Sequence, residues 1–373
     1  FLAVHDTLIG RDILMVTRIS KSAAGVRFQF DGYAGDQINA SMFRFEKGPN
    51  NKIFLREVSV RERSADSTKA MFKAVMRSNL NAIVASFDVK ALSADKKTAV
   101  VDVTDLFNSD SEIFFFRKYN KTTLKLGGLQ KESSYITAIS TYPINTEVKT
   151  VKTYVKSDGG ENATFELNNS FVLLPKVPMV PRYKDDRIGY FTTRYTDFDQ
   201  NPQGVKDIEM ITRWRLEPKP QDVEKYMRGE LVEPAKPIVF YIDPATPKEW
   251  VPYLIMGVND WQKVFEKAGF KNAIYALEAP TKQQDSTWSL EDARFSAIVY
   301  KPSDIPNASG PHVNDPRSGE IIESHINWYH NVMSLLRNWY MLQAGPSDPG
   351  ARKMTFDTEL MGQLIRFVSS HEV

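Results

Sequence analysis

Residues 238–242 (Ile238-Val239-Phe240-Tyr241-Ile242) form a short, continuously apolar run of strand type. Thr246-Pro247-Lys248-Glu249 follows, a capping-box pattern with proline at the first helical position, so a helix is expected to begin there. Trp250, Leu254, Val258, Trp261, Val264, Phe265 and Ala268 recur at helical spacing and give that helix a buried face, and Gly269 ends it. Residues 273–277 read as a second strand. A strand, a crossover helix and a strand in so short a span make a β-α-β unit, which requires parallel pairing and right-handed connection. Further strands are expected over 295–300 and 321–326, and a helix over 328–342.

The chain before this point has a different pattern. Over residues 1–175 strands and turns dominate: an apolar run at 13–19, strict alternation at 26–30 ending in Asp31-Gly32, and strands around 43–45 and 53–60 flanking the turn Gly48-Pro49-Asn50. One helix is expected near 67–79, where Met71, Phe72, Val75 and Met76 share a face. Strands resume at 82–89 and 99–103, and a later pair, 148–155 and 164–167, is joined through Asp158-Gly159-Gly160. No glycine-rich phosphate loop and no G-x-S-x-G occurs there, so this part reads as a scaffold. Pro175, Pro178 and Pro181, and later Glu233-Pro234-Ala235-Lys236-Pro237, mark a connection. The expected organisation is thus a β-rich N-terminal domain over 1–175, an extended connecting segment over 176–236 and a second domain over 237–373.

Composition narrows the chemistry. With 48 Lys and Arg against 46 Asp and Glu and no run of like charge, nothing supports a nucleic-acid partner or a polybasic membrane surface. No apolar stretch approaches 18 residues, so no transmembrane segment is expected. The chain has no cysteine, which excludes disulfides, Cys-ligated zinc and thiol catalysis. A metal would have to use carboxylate, carbonyl or His ligands, and the histidines are His5, His312, His325, His330 and His371. Phe1 is not a start methionine, so a further N-terminal segment is expected in the natural protein, and the absence of an export signal here decides nothing.

From about Asp357 the sequence reads as an amphipathic helix with Leu360, Met361, Leu364, Ile365 and Val368 on one face. His371 falls on or beside that face and Glu372 one position round. Two readings are open. A polar dipeptide at a chain end can be a solvated terminus. It can also be the start of H-E-x-x-H, in which two histidines one turn apart hold zinc and the glutamate is general base to the metal-bound water. The second histidine of such a motif would lie two residues beyond Val373, so the chain reads as cut within it. His325 and His330 lie five apart across a strand-to-helix transition, which is not a helical ligand spacing, and His312 sits in a turn-rich loop.

Three stretches carry a closer likeness: Pro237 through to Asn272; Gly310-Pro311-His312-Val313-Asn314-Asp315-Pro316-Arg317-Ser318-Gly319-Glu320-Ile321; and Ser370-His371-Glu372-Val373. Leu8-Ile9-Gly10-Arg11-Asp12 and Arg187-Ile188-Gly189-Tyr190-Phe191 add to them. Together they resemble a family of large secreted bacterial zinc-dependent metalloproteases, in which an N-terminal domain of uncharacterised function precedes a metzincin-like catalytic domain. The resemblance implies an α+β fold: a β-rich N-terminal domain followed by the N-terminal half of a zincin-like domain, with a mixed twisted sheet, a long helix and the active-site helix at the chain end. It implies zinc as cofactor, His371 as first ligand, Glu372 as general base and a secreted or cell-envelope location. It also implies a peptide or protein substrate lying along an edge strand, for which Ala308, Ser309, Gly310, Pro311 and His312 are the candidates. One histidine cannot hold a tetrahedral zinc, so the chain as given is expected to be inactive. The competing expectation is a non-catalytic cell-envelope protein that binds peptide or glycan on a degenerate zincin scaffold.

Overall fold

The structure, a computed structural model, describes residues 1–28 and 31–373. The chain divides into two units, Phe1–Thr212 with Asp315–Glu320, and Arg213–Asn314 with Ile321–Val373. Among the described residues no helix is long and apolar enough to cross a membrane.

In the first unit ten strands pair antiparallel into one curled sheet. Across it run Leu2–His5, Thr98–Val101, Ile83–Leu92, Lys52–Glu57, Gln37–Gly48, Ile13–Lys21, Asn162–Leu173, Asn145–Lys156 and Leu126–Leu129, with Tyr135–Thr141 also on Asn145–Lys156. The expected hairpin through Asp158-Gly159-Gly160 is present, with Val155 opposite Asn162 and Thr150 opposite Leu167. The alternating stretch 26–30 falls partly outside the described residues, and Phe28 and Asp31 exchange both backbone hydrogen bonds. The expected amphipathic helix is Ala70–Ser78, but it buries no residue: Met71 is 42% and Met76 63% exposed.

The sheet closes around a segment that is not a strand. Phe114, Phe115 and Phe116 have no exposed surface, and Phe114 stacks on Phe43 at 5.3 Å. An irregular segment has backbone carbonyls that no ladder satisfies, and inside a core each needs a donor. Side chains on the inward faces of the strands supply them. Thr17 Oγ1 and Asn169 Nδ2 donate to the Phe114 carbonyl at 2.9 and 2.7 Å. Asn39 Nδ2 donates to the carbonyls of Glu112 and Ile113 at 2.6 and 2.7 Å. Lys152, fully buried, donates to those of Phe107 and Ser109 at 2.5 and 2.7 Å and lies 3.9 Å from the Phe115 ring centroid. Burial pushes its pKa down to about 8.

Asp315–Glu320 belongs to this unit through a charge network. Asp315, without exposed surface, accepts from the backbone N–H, Nε and Nη2 of Arg317 at 2.6–2.9 Å. Arg317 Nη1 donates to Asp12 at 2.8 Å and Nη2 to the Pro175 carbonyl at 2.8 Å, and Arg44 also pairs with Asp12. Removing one partner of so buried a set costs about 3–5 kcal/mol, because a charge is left alone. Gly319 turns the loop at φ 77°, and a Cβ there would lie 2.3 Å from the Ile211 carbonyl oxygen, so no other residue fits. A small sheet, Lys206–Ile211, Thr192–Asp197 and Glu62–Arg63, completes the unit.

In the second unit the β-α-β reading holds in its strands. Ile238–Ile242 pairs parallel with Ile274–Glu278 and with Ser296–Lys301, which pairs parallel with Ile321–Tyr329. The short strands Ala308–Ser309 and His312–Asn314 run antiparallel on the far side of Ile321–Tyr329. Helices Val332–Ala344 and Thr358–Glu372 follow. Ile238, Phe240, Leu254, Ile298, Ile326, Trp328, Ile365 and Val368 form one core cluster. Each such side chain contributes about 1.5–3 kcal/mol by leaving water.

The expectation of a zincin-type half-domain with a long helix is overturned. The described residues are 36% strand and 22% helix, and their largest feature is the curled antiparallel sheet. The stretch expected as one helix from Pro247 is two short ones, Val251–Asn259 and Gln262–Lys267. Between them the Trp261 N–H reaches the Val258 carbonyl, a tighter i−3 bond, while the Asp260 carboxylate is drawn to Arg366 and the Trp261 indole to the Ser370 carbonyl. The capping box does not form either. Thr246 is buried with its Oγ1 unpaired among the described residues, and the helix starts only at Val251. The helix expected over 328–342 begins only at Val332, because the strand continues through Tyr329.

Candidate functional site

The helix Thr358–Glu372 carries the His-Glu pair in its last turn. Asp357 starts it, its carboxylate accepting from the Leu360 N–H at 2.9 Å. What fixes it is its crossing with Val251–Asn259. A Cβ on Gly257 would lie 2.5 Å from the Arg366 carbonyl oxygen and 2.6 Å from Ser369 Cβ, so the two backbones touch at a spacing only glycine permits. Ser369 Oγ donates to the Leu254 carbonyl at 2.9 Å. Gly362 receives the Tyr253 ring in the same way, and the Tyr253 hydroxyl donates to Glu359 at 2.9 Å. Arg366 forms two hydrogen bonds to Asp260 at 2.6 and 2.7 Å, and Trp261 Nε1 donates to the Ser370 carbonyl at 2.8 Å, one residue before His371. The helix end is therefore placed by contacts on the residues just before the pair.

His371 itself is exposed, and Glu372 is half-buried. Burial raises the Glu372 pKa above its ordinary value; the nearby His371 and the Gly310 backbone pull the other way. Gly310 lies between the two antiparallel edge strands. A Cβ there would lie 2.3 Å from the Glu372 carbonyl oxygen and 3.4 Å from Glu372 Oε2, so the edge and the helix end meet at backbone distance.

Of the edge residues expected to bind substrate, Gly310 is the one the structure brings to Glu372. Ala308 is buried opposite Trp328. Ser309 lies opposite Asn327, whose amide donates to its hydroxyl at 3.4 Å. The Pro311 carbonyl accepts from Ser324 Oγ at 3.0 Å. His312 lies opposite Ser324, half-buried, with its pKa lowered by burial. The segment ends the strand order of its sheet, so among the described residues no strand pairs with its outer side.

The remaining histidines lie in other surroundings. His5 contacts Thr7, His325 Nε2 lies 3.7 Å from Glu323, and His330 Nδ1 is 2.7 Å from the Tyr300 hydroxyl. Among the described residues no three His, Asp or Glu side chains form a group suited to a metal ion. Sequence reasoning missed Gly257, Ser369 and the role of Trp261. A glycine inside an apolar helix pattern was the available signal for the first. Nothing local marked the other two.

Three comparisons bear on identity. Residues 35–219 match the model of a domain of unknown function, DUF5117. That span excludes residues 308–312 and the His371–Glu372 pair. No curated protein and no solved structure matches the chain.

Proposed function

We propose that this chain contributes the proton-transferring carboxylate, one metal-ligating imidazole and the peptide-docking edge of a metal-dependent peptidase. The meeting of Glu372 with the edge segment at Gly310 carries the reading. An extended peptide can add to the unpaired edge through main-chain hydrogen bonds, with its side chains falling alternately to either side. A peptide so held lies beside Glu372. A carboxyl group with a raised pKa accepts a proton from an attacking water and returns it to the leaving amine more readily than a freely solvated one. Zinc, in the reading by resemblance, would polarise the peptide carbonyl. His371 offers one nitrogen, and a zinc site takes three or four protein ligands, so the described residues do not by themselves fit the ion. No step is assigned to it.

The unpaired edge also favours a second reading, peptide binding without hydrolysis. One experiment separates them: cleavage and binding of a quenched fluorescent peptide library by the full natural polypeptide bearing this sequence, beside its E372Q variant. Hydrolysis is expected in the wild type, with kcat lowered about 100-fold or more in E372Q and peptide binding retained. Equal cleavage by E372Q would overturn the role of Glu372. Binding without cleavage by the wild type would leave the second reading.

A further inference from the structure

The first unit holds a cavity of about 260 Å³ that its architecture does not explain. Folded interiors rarely keep voids larger than a water molecule, since unfilled apolar volume forfeits contacts on every side. The surrounding core is otherwise close-packed, with Phe43, Phe114 and Phe165 lacking any exposed surface. Carbon lines the cavity: Phe45, Leu55, Phe87, Phe107, Phe171 and Leu173 are among its walls. No Asp, Glu, Lys, Arg or His lies among its lining residues. Its polar side chains, Thr141, Tyr142, Asn145 and Thr146, all come from one stretch, so one end differs from the rest. Phe1 and Ile139 also line it while being 74% and 46% exposed, so its apolar wall continues to the surface.

We infer that this cavity binds the hydrocarbon tail of a single-chain aliphatic molecule, the tail entering past Ile139 and the uncharged or solvent-facing head lying near Thr141 and Asn145. Away from that one polar stretch the walls are carbon, which offers a water too few hydrogen-bond partners to be held and takes apolar guests. Without a charged side chain in the lining, the site reads the tail and not a head charge.

Calorimetric titration of the full chain with straight-chain alcohols from hexanol to dodecanol, and with the matching carboxylates, tests this. Affinity is expected to rise about fourfold per added methylene until the cavity is filled and then to level off. Alcohol and carboxylate of one length should bind alike. I139D, at a half-exposed position, should weaken decanol binding about tenfold while leaving the ligand-free melting temperature unchanged, and I139S should do so less. Three results would overturn the proposal: no binding across the series, binding of carboxylates only, or I139D and I139S both binding as the wild type does.

Discussion

In the first unit the segment 107–116, the end of a short helix (Thr104–Asn108) and the irregular stretch after it, lies inside a sheet, held through its carbonyls by Thr17, Asn39, Lys152 and Asn169 reaching in from the strands. In the second unit the helix Thr358–Glu372 lies on Val251–Asn259, held by the absence of side chains at Gly257 and Gly362 and by apolar burial of Ile365 and Val368. The first arrangement uses buried polar groups, each tied to one partner. It specifies where a segment goes but contributes only about 0.5–1.5 kcal/mol net per hydrogen bond. The second uses close approach and apolar area, and it fixes the axial position of a helix whose last turn bears His371 and Glu372. A core that must hold a plug needs donors, whereas one that must aim a helix end needs a tight crossing.

Overfilling the crossing should have the largest effect. G257L inserts a branched side chain where even a Cβ would lie 2.5 Å from the Arg366 carbonyl oxygen. It is expected to destabilise by about 3 kcal/mol or more. All six tryptophans, at positions 214, 250, 261, 288, 328 and 339, belong to the second unit, so the fluorescence midpoint in denaturant reports it directly. An unchanged midpoint would contradict the crossing.

The corresponding change in the first unit is smaller and depends on pH. K152M leaves the Phe107 and Ser109 carbonyls without their ammonium donor, and a loss of about 1–3 kcal/mol is expected at neutral pH. The folded state holds the Lys152 proton less tightly than the unfolded chain, with a pKa of about 8 against an ordinary 10.5. Protonation therefore favours unfolding. The cost is full below pH 8 and gone above 10.5, so the wild type should gain stability relative to K152M as pH rises through that window. Melting curves by circular dichroism at pH 7, 9 and 10.5 would show it, and a pH-independent difference would place the lysine elsewhere.

The same contrast explains what could be read in advance. Apolar runs with turn signals between them gave the parallel pairing of Ile238–Ile242 with Ile274–Glu278 and the hairpin into Asn162–Leu173, because periodicity and turn chemistry are local. The plug was not legible. Phe114-Phe115-Phe116 has no period, Lys152 falls in an expected strand as an ordinary polar position, and Asn39 and Asn169 lie outside the strands expected from sequence. The capping box at Thr246 failed because that residue is buried by its surroundings, a tertiary effect overriding a local signal. At the candidate site the sequence pointed to Glu372 and to the segment 308–312 separately. Their meeting at Gly310 depends on a helix crossing set by residues about fifty and more than a hundred positions away, which spacing along the chain does not encode.

The central claim, that the Glu372 carboxyl lies beside Gly310 of the edge segment, has a direct measurement: the pH titration of the Gly310 amide resonance in isotope-labelled protein. A titration with a midpoint above 4.5, abolished in E372Q, is the result expected from a half-buried carboxyl lying beside that amide. A Gly310 amide that does not titrate, or one that titrates identically in E372Q, would contradict it.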